Sequence, residues 1–167
     1  WAARPVTKRL AAIREFRAQV VARADVLART LSEEVGKPLR QSRNELNTLV
    51  GRLDFFLAES VRALRDERVF ASAEQNLEER ITHEPLGVIA NISAWNYPYF
   101  VGSNVFVPAL LAGNAVLYKP SEFATLTGLH IAEMLHEAGV PRDVFVPVIG
   151  DGTTGAVFTP PEPADTG

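Results

Sequence analysis

Val88-Ile89-Ala90-Asn91-Ile92, Ala115-Val116-Leu117-Tyr118 and Val144-Phe145-Val146-Pro147-Val148-Ile149 are three short apolar runs, each followed by a break. Their length and β-branched content suit strands buried in a parallel sheet. After the first run, Asn96-Tyr97-Pro98 interrupts the chain, and a helix is expected over Ser103–Ala112, closed by Gly113-Asn114. After the second, Lys119-Pro120 ends the strand. A further helix begins near Thr125, with Leu126, Leu129, Ala132, Leu135 and Ala138 on one face and Gly139 as its stop. Pro147 costs the third strand a ladder donor. The order is βαβαβ, an α/β class with a Rossmann-like parallel half-sheet. Right-handed crossovers place both helices on one face. Ligands of such sheets lie beyond the carboxyl ends of the strands, so binding groups are expected just after Ile92, Tyr118 and Ile149.

Outward from this core, the N-terminal region reads as helical. Leu10, Ile13, Phe16, Val20, Ala24, Leu27, Leu31 and Val35 recur every three or four residues, and Gly36 with Pro38 ends the pattern. Leu46, Leu49, Leu53, Phe56, Leu57, Val61 and Leu64 repeat it. Two packed N-terminal helices of roughly 25 residues each are predicted. Arg80-Ile81-Thr82-His83 reads as a short strand before a turn at Pro85 and Gly87. The expected division is a helical pair over 1–68, a partial dinucleotide-binding domain over 69–155, and an ill-ordered tail over 156–167, where Pro160, Pro161 and Pro163 crowd together.

Composition narrows the function classes. Hydrophobic residues are 47% and charged residues 22%, which fits a globular chain rather than a disordered one. The net charge of −3 gives no general attraction for nucleic acid or anionic membrane. The basic residues of the first helical stretch lack interleaved aromatics for base stacking. No apolar run reaches the roughly 18 residues of a membrane span, so a soluble cytoplasmic protein is expected. The absence of cysteine removes disulfides, thiolate metal sites and thiol catalysis from this chain. His83, His130 and His136 are scattered, and no metal site is expected. The opening Trp1 in place of Met points to a piece of a longer chain or a processed one.

The strand ends carry the chemistry. Ser93-Ala94-Trp95-Asn96 follows Ile92. Asn96 offers an uncharged N–H donor, suited to an oxygen that gains negative charge during reaction. It equally fits a plain turn residue before Pro98. Lys119-Pro120-Ser121-Glu122 follows Tyr118. Lys119 and Glu122 suit the two hydroxyls of a ribose, and a carboxylate there favours NAD over NADP. A solvent-facing loop ion pair is the alternative. Gly150-Asp151-Gly152-Thr153-Thr154-Gly155 spells G-x-G-x-x-G, but Pro160 and Pro161 leave no room for the helix that pattern needs. It is read as a flexible glycine loop. Gly36-Lys37-Pro38 lacks the rest of a phosphate loop and is read as a helix stop.

Taken in order, these segments resemble the aldehyde dehydrogenase superfamily. Glu34-Val35-Gly36-Lys37-Pro38 resembles a helix ending, Glu84-Pro85-Leu86-Gly87-Val88 a strand entry, and Trp95-Asn96-Tyr97-Pro98 the oxyanion turn. Pro108-Ala109-Leu110, Gly113-Asn114, Lys119-Pro120-Ser121-Glu122 and Glu137-Ala138-Gly139-Val140-Pro141 continue the likeness. The resemblance implies Asn96 as side-chain donor to the aldehyde-derived oxygen. It also implies Ile92, Ser93, Ala94 and Trp95 beside the nicotinamide, Lys119, Ser121 and Glu122 around the adenosine ribose, and Gly152 near the adenine. Tyr97, Phe100, Val101 and Asn104 would border the substrate tunnel. The implied cofactor is NAD, with NADP as the alternative. The implied partners are the dinucleotide, an aldehyde and, at full length, further copies in a homo-oligomer. Family members oxidise aldehydes through a cysteine thiolate and a glutamate-activated water, both expected after residue 167, together with two further sheet strands. This chain alone is therefore expected not to turn over. Two competing expectations are a non-catalytic module that associates through an exposed sheet edge, and an unrelated βαβ nucleotide binder using the Gly150–Gly155 loop.

Overall fold

The fold is described here from a computed structural model covering residues 1–158. Three helices come first, α1 (Val6–Ala22), α2 (Ala24–Val35) and α3 (Leu39–Ala63), followed by an antiparallel hairpin of β1 (Glu67–Ser72) and β2 (Leu77–Ile81). The parallel unit then runs β3 (Val88–Ile92), α4 (Pro98–Leu111), β4 (Ala115–Lys119), a 3-10 turn over Glu122–Ala124, α5 (Thr125–Glu137), β5 (Phe145–Pro147) and a short α6 (Gly152–Ala156). The sheet order is β3-β4-β5 with parallel pairing throughout, as βαβαβ connectivity requires.

Several sequence expectations change. The first helical stretch is two helices, because the chain bends at Arg23 between α1 and α2. Apolar periodicity reports which residues face inward, and it runs unbroken across a bend after which both α1 and α2 still pack on α3 and α5, with α1 reaching α4 as well. The strand at Arg80–His83 is the end of β2, the second arm of a hairpin with a bulge between Arg68 and Phe70. Its residues are almost all exposed, so no burial contrast marked it in the sequence. Helix α4 begins at Pro98 and not at Ser103, since a proline at the first helical position loses no hydrogen bond. Strand β5 stops at Pro147, although the Val148 N–H still donates to the Tyr118 carbonyl at 2.8 Å. The domain boundary expected at residue 68 falls inside β1. The expected tail lies outside the described residues from 159 onward, while Ala156 closes α6.

One hydrophobic core joins the helical layer to the sheet. Its centre is aromatic. Phe106 of α4 meets Phe16 of α1, Tyr118 of β4 and Phe145 of β5 edge-on, at 6.2, 5.7 and 5.3 Å. The carboxyl end of α4 is satisfied from the N-terminal segment: the Trp1 indole donates to the Leu110 carbonyl and the Arg9 guanidinium to that of Leu111, both at 2.8 Å. Glu34, in the last turn of α2, accepts from the Leu126 and Thr127 amides at 2.6 and 2.8 Å and so caps the start of α5.

Candidate functional site

The carboxyl ends of β3 and β4 and the start of α6 enclose a cleft of about 450 Å³. Ile92, Ser93, Ala94 and Trp95 supply one wall, Lys119, Ser121 and Glu122 a second, and Gly152, Gly155 and Ala156 the third. All eight residues expected to face a cofactor border this one space. Lys119 is buried, its Nζ donating to the Pro120 carbonyl at 3.1 Å and lying 3.7 Å from Glu122 Oε2. The pair is thus not a solvent-facing loop bridge, since only Glu122 reaches water. The Ser121 hydroxyl caps the 3-10 turn by accepting from the Phe123 amide at 3.2 Å, which sets the direction of Glu122. Trp95 stands edge-on to Phe123 at 5.9 Å across the mouth.

Two glycines allow the close packing. A Cβ on Gly155 would lie 3.4 Å from Lys119 Cδ, so α6 rests directly on the lysine stem. A Cβ on Gly128 would lie 2.4 Å from Pro120 Cβ, so α5 presses on the loop that carries Ser121 and Glu122. The glycine segment after β5 is a correction: a five-residue helix does open at Gly152, ending before the prolines. Asp151 starts it by accepting from the Thr153 amide and hydroxyl at 3.0 and 2.6 Å and from the Thr154 amide at 3.4 Å. These donors hold its carboxyl below the usual range, the Thr153 hydroxyl most of all.

Asn96 does not line this cleft. It sits exposed on the turn after Trp95, and its carboxamide has no hydrogen bond within the described residues. Its backbone is fixed instead. Lys37 Nζ donates to the Asn96 carbonyl at 2.7 Å, lies 3.6 Å from the Tyr97 ring centre, and pairs with Glu45 Oε2 at 2.6 Å. The other Glu45 oxygen accepts from the Tyr99 and Phe100 amides at 2.8 and 3.2 Å, capping α4. Burial pushes the Glu45 carboxyl up, and Lys37 with the two amides pulls it partly back. Beyond the turn lies a second groove of about 230 Å³, between α3 and the start of α4, bordered by Gln41, Asn44, Glu45, Thr48, Tyr97 and Phe100. Trp95 therefore faces one space and Tyr97 another, with Asn96 joining them.

A family model described as Aldehyde dehydrogenase family matches residues 1–162. The chain belongs to that family. N-succinylglutamate 5-semialdehyde dehydrogenase of Sphingopyxis alaskensis is 34% identical to it over 155 residues, 93% of this chain and 32% of the relative. The NAD-dependent aldehyde dehydrogenase of Sinorhizobium meliloti superposes with a TM-score of 0.84 at 31% identity, covering 91% of this chain and 30% of that one. A betaine aldehyde dehydrogenase variant of Staphylococcus aureus, solved with NAD+, gives 0.86 at 27% identity over 94% and 32%. The chain spans about a third of the length of the curated relatives it matches.

In this aldehyde dehydrogenase chain, sequence reasoning missed Lys37 and Glu45. Lys37 was read as part of a helix stop, and its contacts to Asn96 and Tyr97 cross 59 and more residues of chain, which no local pattern encodes. The available hint was a glutamate on the inward face of an apolar helix, since a carboxylate there needs a partner. Among the described residues no group of three His, Cys, Asp or Glu side chains is placed to hold a metal, and no helix is long and apolar enough to cross a membrane. His136 instead bonds the Phe145 carbonyl at 2.8 Å.

Proposed function

We propose that the chain forms the cofactor- and oxyanion-binding portion of an NAD(P)-dependent aldehyde dehydrogenase that converts an aldehyde to a carboxylic acid. The succession Trp95, Asn96, Tyr97 carries this reading. It sets a free amide donor at the junction of two clefts, one suited to a cofactor and one to an aldehyde. Lys119 and Glu122 fit a ribose: a buried ammonium and a carboxylate 3.7 Å apart offer a donor and an acceptor to adjacent hydroxyls. When bound, a nicotinamide dinucleotide supplies the hydride acceptor. The chain's own part is to orient it along Ile92–Trp95 and to donate from Asn96 Nδ2 to the oxygen that becomes anionic. One such donor lowers the barrier by about 3 kcal/mol.

The chain has no cysteine, so on this reading the thiol nucleophile comes from protein outside these 167 residues, which alone are expected to be inactive. NAD is favoured over NADP because Glu122 would repel a 2′-phosphate. A cytoplasmic homo-oligomer is the assembly this reading expects. The Sphingopyxis alaskensis relative is named for a semialdehyde, so acid-bearing aldehydes are the first substrates to try. Titration of the folded chain with NAD tests the proposal. Binding weakened ten-fold or more by Glu122→Ala is expected, and a folded chain that binds neither NAD nor NADP refutes it.

A second reading is an interaction module. It draws support from β3, whose outer edge has no partner among the described residues and whose Val88 and Ile92 are exposed. Sedimentation at micromolar concentration tests it, and a clean monomer counts against it.

A further inference from the structure

Helix α3 carries three acids, and each is taken. Glu45 pairs with Lys37, Asp54 accepts two bonds from Arg17 at 2.6 and 2.9 Å, and Glu59 pairs with Arg62 at 2.7 Å. Of its other arginines, Arg43 reaches Asp25 at 3.1 Å and Arg40 is exposed. Arg52 differs from all of these. It is half-buried, and among the described residues it has neither a carboxylate nor a hydrogen-bond acceptor. Its guanidinium instead lies 5.6 Å from the Phe100 ring centre and 5.7 and 5.9 Å from those of Phe55 and Phe56.

Phe100 also borders the second groove. Gln41, Asn44, Thr48 and Arg52 are spaced three, four and four apart, so they share one face of α3. The groove thus starts at Tyr97 beside Asn96, passes Glu45, whose charge is matched by Lys37, and the uncharged Gln41, Asn44 and Thr48, and leads toward a cation. From Glu45, level with the Asn96 turn, to Arg52 is seven residues, about 10 Å of helix. A guanidinium laid on aromatic rings is partly desolvated, and its in-plane N–H donors remain unmatched. A planar carboxylate is the group that fits that fork.

We propose that Arg52 is a specificity-determining residue that binds an anionic group at the far end of the substrate. The substrate class is then an aldehyde carrying a carboxylate several bonds from its carbonyl. This rests on the reading of Asn96 as the aldehyde-side donor. A charge-assisted pair of this kind changes affinity by on the order of 10- to 100-fold.

Steady-state kinetics of the intact protein test it, with ω-oxo acids of four to seven carbons set against the neutral aldehydes of equal length. The acid is expected to be preferred in kcat/KM by ten-fold or more. Arg52→Gln should collapse that ratio mainly through KM, and Arg52→Lys, which keeps the charge but not the fork, should restore only part of it. A ratio near one in the unaltered protein, or an Arg52→Gln variant that loses both substrates in equal proportion, overturns the assignment to Arg52 while leaving aldehyde oxidation intact. If Arg52→Gln fails to fold, inhibition of the unaltered protein decides: glutarate should compete at least ten-fold more tightly than its diamide, and equal inhibition refutes the proposal. Oxidation of no aldehyde with either NAD or NADP removes the underlying functional reading, and this inference with it.

Discussion

Lys37 Nζ and Glu45 Oε2 lie 2.6 Å apart, with the glutamate side chain fully buried and the lysine 8% exposed. Between them they bond the Asn96 carbonyl and the first free amides of α4. Removing Glu45 strands the Lys37 charge and orphans the two amides. Glu45→Ala is therefore expected to cost about 3–5 kcal/mol in denaturant-induced unfolding. Arg17 and Asp54 are also 2.6 Å apart but largely solvated, and Arg17→Ala should cost under about 1 kcal/mol. Equal costs would show that the buried pair does no more than a surface one.

Glu122 sets the choice of cofactor on the proposed reading. Glu122→Ser is expected to lower affinity for NAD and raise that for NADP, shifting their ratio by ten-fold or more. Competition binding of the two dinucleotides measures it. An unchanged ratio would separate Glu122 from the ribose.

Gly128→Ala opposes two effects of known size. Alanine is favoured over glycine inside a helix by about 1 kcal/mol. Its methyl, however, would sit 2.4 Å from Pro120 Cβ, on a rigid ring tied to the end of β4. Overpacking of this kind costs about 1–3 kcal/mol, so a net loss of stability is expected. Because the ring carries the Ser121–Glu122 loop with it, NAD affinity should fall as well. A stabilised variant with unaltered affinity would mean that the loop yields freely.

Asp151 gives a pH dependence of defined sign. The Thr153 hydroxyl and the two amides hold its folded-state value below the ordinary 3.8. A depressed carboxylate contributes above its unfolded value, and that contribution disappears as pH falls through the folded value. The start of α6 is thus expected to loosen only below about pH 4. The Thr153 and Thr154 amide resonances should move there in the unaltered chain and stay fixed in Asp151→Asn. Movement near neutral pH would assign the change to another group.

The parallel unit was legible because its information is local. Apolar runs ending at Ile92 and Tyr118 marked two strands, Gly139 marked the end of α5, and the residues after each strand became cleft walls through connectivity alone. Three features were not legible, each for its own reason. Arg23 bends a helix without disturbing the inward stripe. Phe70 and Leu77 belong to a hairpin that has no buried side to betray it. Glu45 reaches Tyr99 across 54 residues, so only the folded chain discloses why α4 starts at a proline.

Glu34 and Glu45 have one further effect. Both crossover helices point their positive ends toward the strand tips, where many dinucleotide folds seat the pyrophosphate. Here each of those ends already holds a carboxylate from the chain itself. The fold has thus given up its two ready-made anion seats to internal bracing. On the proposed reading, recognition of a dinucleotide by this half of the sheet then falls to sugar hydroxyls and ring faces, a mode in which affinity should depend little on ionic strength.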